Sequence, residues 1–138
     1  MPLDDLRQSP TMVHLLDALD RGEDIGHHGR FTFATVALRF LDKEEVAGWL
    51  AKDGDFDEHR AKALVQQVAS RGYNPPSRAK IMEWQADQTF PICPTPDDPD
   101  ACNLYRELTM PEAVIGDIEE YREQQFDAEE QGEAAPTR

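Results

Sequence analysis

Apolar residues recur at three- and four-residue intervals through most of this chain, and no stretch alternates apolar with polar residues for long enough to make a strand. That pattern predicts an all-α fold. Ser9 before Pro10 is a side-chain cap followed by proline at the first helical position, and Met12, Val13, Leu15, Leu16 and Leu19 form an apolar face that stops at Gly22. Phe31, Phe33, Val36, Ala37 and Phe40 repeat at helical spacing. Asp42 with Glu45 opens a further helix that buries Val46, Trp49 and Leu50, and a turn at Asp53, Gly54 and Asp55 ends it. From Asp57, Ala61, Leu64, Val65 and Val68 make another amphipathic helix closed by Gly72, after which Asn74, Pro75 and Pro76 enforce an extended turn. Ile81 and Trp84 mark a short helix. The segment FPICPTPDDP, residues 90 to 99, carries four prolines and is an irregular connection packed through Phe90, Ile92 and Cys93. Asp100 caps a short helix through Leu108, and Val114, Ile115, Ile118 and Tyr121 form the last amphipathic helix.

With 138 residues the chain makes one domain of about six helices, with irregular proline-rich connections. The reading divides it into an N-terminal extension (1–8), a helical domain (9–125) and a disordered acidic tail (126–138). No apolar run approaches the roughly 18 residues that cross a bilayer, and the first residues, MPLDDLRQSP, lack a signal-peptide pattern, so a cytoplasmic protein without a membrane partner is expected. In that reducing compartment Cys93 and Cys102 are expected as thiols or ligands rather than a disulfide.

The net charge of -14 argues against polyanion binding through overall charge. Any nucleic-acid role must rest on a local patch. Residues 1 to 96 hold 15 acids and 11 bases, whereas residues 97 to 138 hold 13 acids and 3 bases, so acidity is concentrated towards the C-terminus. Between His59 and Met82 the chain has Arg60, Lys62, Arg71, Arg78 and Lys80 and no Asp or Glu. Such a basic island is either a solvated helix face or a phosphate-neutralising strip. The string GEDIGHHGRFTF, residues 22 to 33, sets glycines, His27, His28 and Arg30 in a loop entering an aromatic helix. Glycines admit a ligand close to the backbone, helix-start N–H groups favour anions, and Arg30 suits a bidentate phosphate contact. The alternative is a helix cap, a turn glycine and core imidazoles.

The order of these elements resembles the C-terminal iron-sulfur domain of the archaeal and eukaryotic primase large subunit. The resemblance runs through SPTM (9–12), IGHHGRFTFATVALRF (25–40), DKEEVAGWL (42–50), DFDEHRAKALVQQVA (55–69), YNPPSRAKI (73–81), FPICP (90–94) and DACNLYREL (100–108), and covers residues 8 to 121 in unbroken order. It implies a non-catalytic domain that binds template and the initiating 5′-triphosphate nucleotide. The expected partners are single-stranded DNA or a primer-template junction, a nucleoside triphosphate, and a primase catalytic subunit or primase-polymerase. Carried over by position, His27 and Arg30 fall in the family's binding loop. His28, Arg60, Lys62, Arg71, Tyr73 and Lys80 complete the candidate nucleic-acid and triphosphate surface. Phe31 and Phe33 are expected in the core.

The family's four-iron four-sulfur cluster takes one cysteine from each of four elements. This chain keeps Cys93 and Cys102 at two of them, and Thr11 and Arg78, neither a ligand, stand at the others. No cofactor is therefore expected; the two cysteines are read as vestigial buried thiols, the alternative being a four-iron four-sulfur cluster. Asp55 and Asp57 read as helix-capping acids rather than catalytic carboxylates, and Cys93 has no base partner, so no enzymatic turnover is expected. An accessory binding domain thus requires His27, Arg30, Arg60, Lys62 and Lys80 on one face. The alternative is a protein-interaction module acting through the acidic C-terminal helix.

Overall fold

A computed structural model describes residues 2–108 of the chain. Among these the fold is all-helical, with no strand: α1 (Pro2–Leu6), α2 (Pro10–Asp20), α3 (Gly26–Ala37), α4 (Lys43–Leu50), α5 (Glu58–Arg71), α6 (Arg78–Gln85) and α7 (Leu104–Glu107). The helix expected around Val114–Tyr121 and the acidic tail lie outside the described residues.

Capping chemistry sets the starts of these helices. The Ser9 hydroxyl accepts the Met12 N–H at 3.0 Å, the Asp42 carboxylate that of Glu45 at 2.9 Å, and the Asp57 carboxylate that of Arg60 at 2.8 Å. Gly72 closes α5 at φ 62°, a left-handed conformation that costs glycine nothing. Besides the start of α3, taken up below, two elements differ from the sequence reading. Helix α1 precedes the Ser9 cap and sends Leu6 fully into the core. Helix α7 is capped by Asn103, whose side chain accepts the Tyr105 N–H, instead of by Asp100.

Helix α3 lies against α2, α4, α5 and α6, and this central position explains why every residue from Thr32 to Ala37 is buried. It is a core helix rather than a surface one. Its Phe33 is fully buried, as are Leu15, Leu16, Leu50, Ile81, Ile92 and Leu104 in the same core. At about 25 cal/mol per Å² of apolar surface, side chains of this size supply most of the folding free energy. The proline-rich connection is anchored as expected by Ile92 and Cys93, and Phe90 stacks on His14 with ring centroids 5.0 Å apart.

Candidate nucleic-acid interface

The glycine- and histidine-rich string does not form the expected loop. Helix α3 begins at Gly26, so His27, His28 and Arg30 are helical residues. Protein groups take the backbone donors that an anion would need. Asp24 accepts the Gly26 N–H at 2.9 Å, Asp53 accepts that of Ile25 at 2.9 Å, and the Gln88 side-chain oxygen accepts that of His28 at 3.0 Å. Gly26 is required twice over: its φ is +80°, and a Cβ there would lie 2.5 Å from the Gln88 amide. Arg30 points inward. Its side chain is 9% exposed, pairs with Asp53 at 3.3 Å and Asp24 at 3.1 Å, and lies 4.4 Å from the Phe56 ring centroid. The structure thus commits Arg30 to two carboxylates and an aromatic face, joining the start of α3 to the α4–α5 turn.

One turn away, α3 and α6 build a different surface. The His28 and Trp84 rings are stacked 5.2 Å apart at 7°, Phe31 meets Trp84 edge-on at 5.6 Å, and Phe31 meets Tyr73 edge-on at 5.2 Å. His27 contacts His28 edge-on at 5.3 Å. The Lys80 ammonium lies 5.9 Å from the Trp84 ring and pairs with Glu83 at 2.9 Å. His28, Phe31, Tyr73 and Trp84 are partly exposed, and His27 is exposed. Phe31 therefore belongs to this strip, whereas Phe33 is core as expected. Burial pushes the His28 imidazole below its ordinary value, His27 and Lys80 push the same way, and Asp87 opposes them. A neutral imidazole stacked on indole is a flat, apolar platform with hydrogen-bonding edges.

The eight candidate residues do not make one contact group. His27, His28, Tyr73 and Lys80 join through Trp84 and Phe31, while Arg30 and Arg60 share the Phe56 ring, Arg60 at 5.0 Å. Lys62 pairs with Glu58 along α5 at 3.0 Å and lines the groove between α4 and α5. Arg71 is exposed at the end of α5. The sequence reading requires His27, Arg30, Arg60, Lys62 and Lys80 on one face, but Arg30 is buried and the other four fall into separate contact groups, so of the expected site only the smaller α3–α6 strip is assembled.

The cysteines also differ from expectation. Cys93 and Cys102 form a disulfide with Cα atoms 5.7 Å apart, so they are neither free thiols nor ligands. The turn between them brings the two buried side chains within bonding range. Cys102 has φ 65°, costing on the order of 1–2 kcal/mol for a residue with a Cβ. The matching positions are filled by other chemistry. The Glu107 carboxylate accepts from the Ser9 hydroxyl, the Thr11 N–H and hydroxyl, and the Cys102 N–H. The Arg78 guanidinium donates to the carbonyls of Ala101, Pro96 and Asp98 at 2.9, 3.2 and 3.1 Å. An iron-sulfur cluster needs thiolates at four elements; two bonded sulfurs, a threonine already tied to a carboxylate and a guanidinium do not fit one.

Trp84, Gln88, Asp53 and Glu107 shape this region, and sequence reasoning missed their roles. Trp84 lies one helical turn beyond Lys80 in a stretch rich in cations, and that spacing was the available signal. The long-range contacts of the other three span 23 to 98 residues and leave no local mark.

Among the described residues no helix is long and apolar enough to cross a membrane. No family model matches the chain, and no solved structure matches it. The chain is similar to the DNA primase large subunit PriL in two strains of Halobacterium salinarum, with 24% identity over 123 residues, 86% of this chain and 34% of each relative. It thus spans about a third of the length of the curated relatives it matches.

Proposed function

We propose that this chain is a non-catalytic accessory domain of a primase-type system, akin to the C-terminal domain of the large subunit, that holds single-stranded template or a primer end while another chain performs nucleotidyl transfer. The observation that carries this reading is the similarity to primase large subunits over 86% of the chain. The α3–α6 strip supports it. Trp84, His28 and Tyr73 offer π faces, and base–aromatic stacking contributes about 1–3 kcal/mol per base without needing a strongly basic surface. Lys80 is buried and paired with Glu83, which leaves the exposed Arg71 at the end of α5 to meet phosphates, including those of an initiating 5′-triphosphate nucleotide. Arg30 acts here as a positioning residue that fixes the start of α3, and so the place of His27 and His28.

Titration of the Trp49→Phe protein, in which Trp84 is the sole tryptophan, with a single-stranded oligonucleotide of about ten nucleotides tests the proposal. Saturable quenching of Trp84 emission is expected. Unchanged emission at saturating oligonucleotide overturns it.

A second reading, a protein-interaction module, is favoured by the pairing of basic-island cations with acids: Arg60 with Asp57, Lys62 with Glu58 and Lys80 with Glu83. Absence of oligonucleotide binding together with stable capture of a primase catalytic subunit selects it.

A further inference from the structure

The junction between the start of α2, α6 and the 91–108 segment carries chemistry that the binding proposal does not use. Its centre is the Cys93–Cys102 disulfide, and both cysteines are buried. The eight residues between them, 94 to 101, are mostly exposed; Arg78 holds them down through the three carbonyls of Pro96, Asp98 and Ala101, and the exposed Arg106 adds an ion pair to Asp100 at 3.6 Å. Each cysteine backbone is also tied to a different element. The Cys93 N–H donates to the Gln85 side chain of α6 at 2.8 Å, and the Cys102 N–H donates to Glu107 at 2.9 Å. Glu107 in turn holds Ser9 and Thr11, at the start of α2. The bridge therefore closes a ring of contacts through α2, α6 and α7, at positions where the primase resemblance would place a metal cluster that these residues do not fit.

We infer that Cys93–Cys102 is a thiol–disulfide exchange site, reduced by a dithiol and gated by the Arg78 clamp on residues 94–101. In the step a thiolate of the dithiol attacks one Sγ. The Sγ–Sγ bond breaks, its electron pair stays on the other Sγ, and that sulfur takes a proton. The second thiolate of the reagent then displaces the first Sγ, which is protonated in turn. Two protein thiols remain, and the reagent leaves as a cyclic disulfide, having given up two electrons. Reduction also removes the constraint that holds Cys102 in its left-handed conformation, so the Cys102–Glu107 contact loosens with it.

The test uses the full chain, purified in air, with dithiothreitol as the dithiol and free thiols counted under native conditions. Arg78→Ala is expected to be reduced at least about tenfold faster than wild type, with Arg78→Lys, which keeps the charge but cannot span three carbonyls, in between. Hydrogen exchange is expected to rise on reduction at the Thr11 and Cys102 amides and to stay unchanged at Ile25, which is held by Asp53. Equal reduction rates in all three proteins, free thiols before any reductant is added, or stoichiometric iron in anaerobically purified protein would each overturn the inference. No nucleic acid enters this experiment, so its outcome is independent of the binding proposal.

Discussion

Replacing Asp53 with alanine tests how the start of α3 is held. The Asp53 side chain is fully buried; it accepts N–H groups from Ile25 at 2.9 Å and Asp55 at 2.7 Å, and faces Arg30 at 3.3 Å. Asp55 is exposed, so water replaces the lost acceptor there at little cost. Ile25 is fully buried, and its orphaned N–H costs about 1–3 kcal/mol. Arg30 keeps only Asp24, which is 54% exposed, and breaking a buried pair from one side costs about 3–5 kcal/mol. The two effects share the same desolvation and do not add in full, so the expected loss is about 4 kcal/mol, a large part of the roughly 5–15 kcal/mol that a small domain has. Urea unfolding followed by circular dichroism should show a lower midpoint at unchanged slope, and the melting temperature should fall by roughly 15 °C. The double variant Asp53→Ala with Arg30→Met should recover part of the loss, because an apolar side chain needs no partner. A single-variant loss below about 1 kcal/mol, or a double variant worse than the single, would refute the reasoning.

Three further perturbations follow from the same contacts. The folded His28 imidazole lies below its ordinary value of 6.5, so the unfolded chain binds the proton first and stability falls as pH drops below that value; His28→Gln should flatten this decline in unfolding curves taken between about pH 5 and 7, and an unaltered decline would be contrary evidence. Gly26→Ala forces a left-handed backbone and displaces Gln88 from the His28 N–H; a loss of at least about 1 kcal/mol is expected, with faster hydrogen exchange at His28, and a neutral result would contradict it. Ser77→Ala removes the hydroxyl that accepts the Lys80 N–H at 3.1 Å, so α6 should lose about 1 kcal/mol, read as faster exchange through α6; unchanged exchange there would be contrary.

Much of the fold was legible because its signals are local. Ser9, Asp42 and Asp57 stand one turn before the groups they cap, Gly72 marks the end of α5, and three- and four-residue apolar spacing identifies the buried faces between them. The start of α3 was misread for an equally local reason. Gly26 and Gly29 look like a phosphate-binding loop, yet Gly26 serves a left-handed helix start beneath Gln88, and Gly29 packs its backbone against Ile25. Arg30 looks like a phosphate ligand because its buried partner, Asp53, lies 23 residues away in a turn, and Asp24 in the same string does not by itself mark the pair. The nine-residue spacing of Cys93 and Cys102 allows a disulfide, and only the weight given to compartment sets it aside; Glu107 leaves no local mark because its contacts with Thr11 close over 96 residues. The aromatic strip was half-legible. The sequence marks His27, His28, Tyr73 and Lys80 as candidates, whereas Trp84, which joins them, shows there only as an apolar helix position.

The account rests on nucleic-acid binding by the α3–α6 strip, and fluorescence anisotropy with a labelled primer-template junction bearing a 5′-triphosphate tests it most directly. Wild type and Trp84→Ala are titrated at two salt concentrations, with circular dichroism confirming that both are folded. The account predicts that wild type binds, that affinity falls with salt by only one or two phosphate contacts' worth of slope, about -0.7 per contact on single strands, and that Trp84→Ala weakens binding by roughly 5- to 150-fold, the worth of one stacked base. Equal affinity of the two proteins, or no binding by wild type at either salt, would contradict it.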